Sequence, residues 1–320
     1  MNRRQDDFVA ERRADWDELE KLLGEGRRLD RLAPASIART SALYRAVCAD
    51  LMRAQAAGYG PDVIALLDGL AARGHNALYS APPYRLRAAW DLLAVDFPRT
   101  LRKHGRFFAL SAALFVLPGL LGFFAARASR TFALHVLPES MAEMMEKSYA
   151  EGFNKGRSEG QDASMAGFYV YNNIGIAFRC FATGVLLGLG SAFFLVYNGL
   201  IIGVVAGLVS RAGHGLNLLT FTCGHSAFEL SAIVISGTAG MVMGYALVET
   251  NGFTRWASVR RRSRELATLI LGAAFMLLIA AMIEGFWSPS AVPPPVKWAV
   301  GFLNCVVVGL YFALAGRVRR

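Results

Sequence analysis

Cysteine is scarce in this sequence and widely spaced along it. Four cysteines occur among 320 residues, they form no CxxC pair, and their spacing fits no disulfide framework. We interpret them as small apolar side chains packed between helices. The first 20 residues are heavily charged, unlike a secretory signal peptide, so we expect any membrane insertion to depend on an internal segment.

Charged residues are also unevenly distributed. The chain is 54% hydrophobic with a mean hydropathy of +0.36, yet residues 1–106 are charge-dense and the remainder is dominated by long apolar runs. This asymmetry predicts two regions that lie in two different solvents. The net charge of +10 comes with arginines clustered at the ends of the apolar runs, where they fix membrane orientation. We therefore expect no nucleic-acid partner.

The apolar runs predict an all-α fold, namely a polytopic transmembrane helix bundle of about six spans with an N-terminal cytoplasmic helical region. Crossing a hydrocarbon core roughly 30 Å thick takes about 20 apolar residues. The third run, which follows Tyr197-Asn198-Gly199, has only about eleven, so a re-entrant segment is left open there. The predicted spans are Phe107–Ala126, Ile174–Val196, Leu200–Ser210, Ser226–Val248, Leu266–Trp287 and Trp298–Ala315.

This pattern divides the chain into a helical region at 1–106, a membrane bundle at 107–316 and a basic tail at 317–320. Basic residues precede the first span and fill the stretch 255–264, and six crossings place both of these and the tail on one side. By the positive-inside rule we expect a multi-pass protein of the cell membrane with both termini cytoplasmic. The loop 131–172 is then extracytoplasmic, and apolar residues recurring through 139–153 predict an amphipathic helix that lies on the membrane or caps the bundle.

Ionisable residues within the spans are costly and need a reason. His225 and Glu229 are four residues apart on one predicted helix and therefore share a face. Together with Arg179 and Glu284 they are expected in the outer half of the bundle, where Arg179 could pair with either glutamate. A structural ion pair, a conducting or binding site, and a metal or catalytic centre remain as alternatives, in that order.

The metal alternative is disfavoured by the number of ligands. A zinc site normally takes three or four protein ligands, and the His225-x-x-x-Glu229 spacing supplies two. The HExxH arrangement is absent, and no Asp lies in any predicted span. We therefore expect no metal and no cofactor, and the sequence leans against an enzyme.

Asparagine and glycine mark the second and third spans. Asn198 opens an apolar run, so a helix cap is its expected role, and a broken helix facing a cavity is the alternative. The pairs Gly184/Gly188 and Gly199/Gly203 have the small-xxx-small spacing that lets helix backbones approach closely. These glycines indicate packing and not chemistry.

Several short motifs follow one another in order along the chain. They are Asn172-Asn173-Ile174, Gly184-Val-Leu-Leu-Gly188, Tyr197-Asn198-Gly199-x-x-x-Gly203, Gly224-His225-x-x-x-Glu229-Leu230-Ser231-Ala232-Ile233 and Ile283-Glu284-Gly285-Phe286. This series resembles the stage II sporulation protein M family of integral membrane proteins, the SpoIIM-like proteins. The resemblance extends over nearly the whole chain, and the run from His225 is its most specific part.

The resemblance implies a membrane component with no established catalytic activity of its own. In spore formers the family's named member is a scaffold that recruits cell-wall hydrolases, and relatives also occur in organisms that do not sporulate. The polar residues shared by the family correspond here to Asn198, His225, Glu229 and Glu284.

Two functions therefore stay open. The first and preferred one is an integral membrane scaffold or assembly component linked to cell-envelope remodelling. The alternative is a transporter, channel or lipid-binding membrane protein that uses the buried His/Glu/Arg cluster. The expected partners are membrane lipids and other membrane or envelope proteins, and a homo-oligomer is left open.

Overall fold

A computed structural model describes residues 3–24, 34–79, 86–150, 152 and 159–317, and every regular element in these ranges is helical. The all-α prediction is confirmed. The helices are α1 (Arg3–Gly24), α2 (Pro34–Ala56), α3 (Pro61–Tyr79), α4 (Leu86–Asp91), α5 (Phe97–Lys103), α6 (Gly105–Ala128), α7 (Arg130–Val136), α8 (Glu139–Ala150), α9 (Glu159–Ala182), α10 (Leu189–Arg211), α11 (Gly215–Val248), α12 (Arg255–Met282) and α13 (Pro294–Leu314). Two π-helical turns, Leu92–Asp96 and Ile283–Trp287, and a 3₁₀ turn, Thr183–Val185, complete the set.

The chain forms two compact units, Met1–Arg85 and Leu86–Arg320. In the first unit, α1, α2 and α3 surround their own apolar core, because their apolar residues recur every three or four positions. The core residues are Trp16, Leu19, Leu43, Val47, Ala54, Leu67 and Leu70. Asp50 is buried beside this core, where it accepts hydrogen bonds from Trp16 Nε1 at 3.0 Å and Arg12 Nε at 2.9 Å.

The second unit begins with α4 and α5, about 20 residues before the predicted boundary at 106. Phe97 and Leu101 of α5 are buried in the core of the bundle. Arg102 donates to the carbonyl oxygens of Phe312 and Ala315 at 2.7 and 2.6 Å, which ties α5 to the end of α13. These contacts are tertiary, so the change in composition at 106 does not reveal them.

Among the described residues, five helices are long and apolar enough to cross a membrane, by length and composition. They are α6, α10, α11, α12 with its π-helical turn, and α13. The 24 residues of α9 are long enough as well, at about 36 Å, but α9 is less apolar because it carries Asn172, Asn173 and Arg179. The multi-pass bundle is therefore confirmed, with a number of crossing helices close to the six predicted.

The turn between α9 and α10 does not lie at residues 197–199, where the sequence predicts the break between the second and third spans. The chain turns at Thr183–Gly188, where Gly188 has φ +86° and lies against α11. Tyr197-Asn198-Gly199 lies inside α10, which runs unbroken for 23 residues. The short third span was therefore wrong, and no re-entrant segment is needed.

Glycines bring α6 and α10 into backbone contact. A Cβ added at Gly199, Gly203 or Gly207 would lie 2.1, 2.0 and 2.2 Å from the carbonyl oxygens of residues 115, 119 and 123. Both series increase together, so the two helices run parallel. A Cβ added at Gly184 would lie 2.2 Å from the Gly240 carbonyl oxygen of α11, and one added at Gly244 of α11 would lie 2.2 Å from the backbone nitrogen of Gly188. All four glycines singled out from the sequence lie at such contacts.

Helices α7 and α8 cover one end of the bundle. Ala133, Leu137 and Ala142 pack against α6 and α10, and Asn217 of α11 donates to the Tyr149 carbonyl oxygen at 2.8 Å. Helix α8 accounts for most of the predicted amphipathic helix at 139–153, and its packing favours the capping alternative. Residues 151 and 153 of that prediction, and 318–320 of the basic tail, lie outside the described residues.

Candidate functional site

Polar residues of α11, α13 and the end of α12 lie at the end of the bundle where α11 and α13 begin, which we name the polar end. Gly224 of α11 lies against Ile283 and Trp287. Gly285 lies against Ala166 near the start of α9. The first turns of α11 and α9 therefore meet the last turns of α12 at this end.

His225, Glu229 and Glu284 form a polar cluster here. One potential ligand atom from each residue lies within 4.8 Å of the other two. His225 Nε2 is 3.7 Å from Glu229 Oε2, and His225 Nδ1 is 3.1 Å from Ser288 Oγ. His225 is 3% exposed and Glu284 9%. The cluster joins α11 to α12 in a setting with little access to water.

A π-helical turn, Ile283–Trp287, presents Glu284 to the cluster. Ser288 N donates to the Ile283 carbonyl oxygen at 2.8 Å, five residues back, which is the wide hydrogen bond of such a turn. Single π-helical turns inside α-helices occur often at functional sites. Here the turn places Glu284 and Ser288 on the side of α12 that faces His225.

Helix α13 supports this end through polar contacts. Lys297 is 1% exposed, and its Nζ donates to the carbonyl oxygens of Ser288 and Ser290, each at 2.7 Å. Trp298 Nε1 donates to Thr220 Oγ1 at 3.0 Å, and Asn304 Nδ2 donates to the Gly224 carbonyl oxygen at 2.8 Å. The backbone on both sides of the polar cluster is thereby held in place.

Arg179 lies away from the polar cluster. Helix α9 starts at the polar end, whereas the carbonyl oxygens of Cys180 and Phe181 lie against Gly240, eleven residues beyond Glu229 on α11. That separation is about 16 Å along the helix. Arg179 is exposed, and its Nε donates to the Gly175 carbonyl oxygen at 3.1 Å. The expected pairing of Arg179 with a glutamate is therefore wrong.

Asn198 neither caps a helix nor opens a broken one. Its Nδ2 donates to the Phe194 carbonyl oxygen at 2.7 Å and lies 4.0 Å from Cys180 Sγ. Its polar side chain is thus satisfied within α10 and lies at the contact with α9. Of the five residues proposed as a polar cluster, the structure brings three together.

Below the polar cluster, mainly small and apolar side chains of α11 and α12 fill the interior of the bundle, with the hydroxyl residues Ser236, Thr238 and Thr268 buried among them. We name seven of the apolar residues the apolar layer, and each is at most 1% exposed. They are Ala232, Ile235, Ala239, Val242, Leu269, Ala273 and Leu277. This layer separates the polar cluster from the opposite end of the bundle.

The family model described as stage II sporulation protein M matches residues 111–289, more than half of the chain. The chain belongs to the SpoIIM family. The matched range includes the glycine contacts of α6, α10 and α11 and the whole polar cluster. A second model, described as a domain of unknown function (DUF8413), matches residues 6–80, which correspond to the N-terminal unit.

A protein of Methanocaldococcus jannaschii described as uncharacterized is 28% identical to this SpoIIM-family chain over 120 residues. The match covers 37% of the chain and 67% of that protein. No solved structure matches at a significant level.

The other end of this SpoIIM-family bundle, where α6 and α12 begin, carries a basic cleft of about 560 Å³. Its ionisable lining residues are Lys103, His104, Arg106, Arg261, Arg262 and Glu265. His104 Nε2 lies 2.8 Å from Glu265 Oε2, and the Arg106 guanidinium lies 5.1 and 5.5 Å from the ring centroids of Phe107 and Tyr245. Cationic and aromatic side chains are thus gathered at this end of the bundle, which we name the basic end.

Sequence reasoning missed Ser288 and Lys297. Lys297 could have been noticed, because it is an ionisable residue between a proline-rich turn and an apolar run. Ser288 carries no such signal, since a serine after an apolar span is ordinary. Its contact with His225 depends on how α12 packs against α11.

Proposed function

We propose that this chain is an integral membrane scaffold or assembly component linked to cell-envelope remodelling. The observation that carries the proposal is the apolar layer across the middle of the bundle. A transporter or channel needs a polar path past this level. Seven apolar side chains there are at most 1% exposed, and the buried Thr238 hydroxyl among them donates to the Val234 carbonyl oxygen of its own helix. The polar cluster lies on one side of the layer and the basic cleft on the other.

The N-terminal unit is the proposed docking module for a protein partner. It has its own core, separate from that of the bundle. It also corresponds to a family model of its own. Such a unit can fold without help from membrane packing, so its outer surface is free to evolve for recognition.

We further propose that the basic end faces the cytoplasm. Helix α6 starts there after Arg99, Arg102 and Lys103 and has Arg106 in its first turn, and α12 starts there with Arg255. If α9 crosses together with the five apolar helices, both termini lie on the cytoplasmic side and α8 lies outside. Membrane lipids then surround the bundle, and other membrane or envelope proteins are the proposed partners.

A pair of substitutions at one core position tests the docking role. Leu19 is fully buried in the N-terminal unit. Leu19→Asp places a charge in that core and should unfold the unit, whereas Leu19→Met keeps volume and apolarity and should cost less than about 1.5 kcal/mol. Both substitutions lie outside the unit that forms the bundle. They are to be purified from cross-linked native membranes beside the unchanged chain.

The scaffold proposal expects a defined protein, present in stoichiometric amount, that co-purifies with the unchanged chain and with Leu19→Met. Leu19→Asp should lose it. Retention of the same partner by both variants would remove the docking role from the N-terminal unit. Purification of the unchanged chain without any stoichiometric partner would contradict the scaffold itself.

A further inference from the structure

We propose that the polar cluster binds one divalent first-row transition-metal ion, with His225 Nε2 and the carboxylates of Glu229 and Glu284 as its protein ligands. This assignment goes beyond the scaffold role and does not depend on it. The sequence alone supplies two ligands on α11, which is too few for a metal site. The packing of α12 against α11 brings the third.

The spacing of the ligand atoms suits such an ion. Metal–ligand bonds of about 2.0–2.1 Å at a tetrahedral angle hold two donor atoms roughly 3.3–3.4 Å apart. His225 Nε2 and Glu229 Oε2 are 3.7 Å apart, too far for a hydrogen bond and a few tenths of an ångström from that value. Glu284 completes a triangle in which no side exceeds 4.8 Å. Small rotations of the two carboxylates would close it.

The contact behind His225 is the one that a metal-binding histidine needs. A ligating imidazole usually bonds through its second nitrogen to a neighbouring group, which fixes the ring and leaves the first nitrogen for the metal. Ser288 Oγ lies 3.1 Å from Nδ1, so Nε2 is the nitrogen that faces Glu229. Ser288 is in turn held through its carbonyl oxygen by Lys297.

Charge also favours a cation at this position. Two carboxylates a few ångströms apart inside a bundle repel one another strongly unless a cation or a shared proton lies between them. A divalent ion would balance both carboxylates, with the imidazole neutral. One nitrogen and two carboxylate oxygens form a donor set suited to Zn²⁺, Mn²⁺ or Fe²⁺.

Metal content of the purified full-length chain tests the assignment directly. The chain is to be prepared in detergent without a polyhistidine tag, stripped with a chelator, and titrated separately with Zn²⁺ and Mn²⁺. Bound metal is then counted by mass spectrometry after desalting. About one ion per chain is expected.

Two isosteric variants, Glu229→Gln and Glu284→Gln, should each weaken binding at least tenfold. Ser288→Ala should weaken it about 10- to 100-fold, the usual effect of removing a group that orients a metal-binding histidine. The matched control is Glu143→Gln, which makes the same change at an exposed position of α8 and should leave binding unchanged.

Visible absorption of the unchanged chain loaded with Co²⁺ keeps the assignment testable if the variants fail to fold. A low-coordinate site of nitrogen and oxygen ligands should give strong bands that excess Zn²⁺ abolishes. The proposal is overturned if the stripped chain retains no metal after titration. It is also overturned if Glu284→Gln binds metal as well as Glu143→Gln does. A site elsewhere on the surface would then hold the metal, and a shared proton would explain why the two carboxylates lie close together. None of these measurements involves a protein partner, so they stand apart from the test of the scaffold.

Discussion

Replacing Gly203 by alanine should force α6 and α10 apart. The two helices run parallel with their backbones in contact, and the new Cβ would lie 2.0 Å from the Gly119 carbonyl oxygen. Ordinary contact begins near 3.4 Å, so the helices must separate by about 1.4 Å at this point. The obstacle is backbone, which cannot rotate away as a side chain could.

The loss in the free energy of unfolding follows from weaker contact between α6 and α10 on both sides of Gly203. Gly199 and Gly207 lie one turn away on either side and make equally close approaches, so separation at the centre loosens all three. Overpacking of this kind typically costs about 1–3 kcal/mol. The expected destabilisation lies in that range, despite the better helix propensity of alanine.

Gly309→Ala is the matched control. Gly309 lies within α13, and an added Cβ there meets nothing within 4 Å. Reversible unfolding of both variants in mixed micelles, followed by tryptophan fluorescence, gives the two free energies of unfolding. Gly203→Ala should be clearly less stable than the unchanged chain and Gly309→Ala equal to it or slightly more stable. Equal free energies for the two variants would refute the parallel, glycine-mediated contact.

Three further predictions concern buried and paired charges. Asp50→Ala removes the acceptor of a buried indole and a guanidinium, so it should cost about 1–3 kcal/mol and speed hydrogen exchange in α2, while exposed Asp68→Ala should not. The hydrogen bond from Arg39 lowers the pKa of Glu18 below its ordinary 4.5. The stabilisation that ionised Glu18 contributes is therefore present above the ordinary pKa of 4.5 and is lost as the pH falls through the lowered pKa of the folded state. In Arg39→Gln, an NMR titration should show the pKa of Glu18 rising back toward its ordinary value. Lys297→Met leaves the buried Ser288 carbonyl oxygen and the partly buried Ser290 carbonyl oxygen without their donor, so it should lower the free energy of unfolding by about 1–3 kcal/mol and expose residues 288–293 to proteolysis.

The helix bundle could be predicted because membrane crossing imposes a length and a composition that the sequence displays directly. The position of the break could not. Tyr197-Asn198-Gly199 has the composition of a turn, whereas the real turn at Thr183–Gly188 is mostly apolar. Gly184 and Gly188 turn there because Gly240 and Gly244 of α11 lie against them, which is a tertiary contact.

The misplaced break also explains the error about Arg179. A second span at 174–196 puts this residue at the outer end, whereas the observed α9 ends at Ala182 and puts it at the other end. The His225 and Glu229 pair needed only helical spacing, so it could be foreseen from the sequence. Glu284 came to the same place through the pairing of α12 with α11, which periodicity does not specify.

Ion flux through the purified chain in sealed liposomes tests the scaffold account most directly. Internal dyes would report protons, sodium and potassium under an imposed gradient, with empty liposomes and a known channel as references. The proposed scaffold has no polar path through the apolar layer between the polar cluster and the basic cleft, so the chain should pass no more of any ion than empty liposomes do. Flux that rises with the amount of protein and disappears in Glu229→Gln would contradict the account and establish a conducting path through the polar cluster.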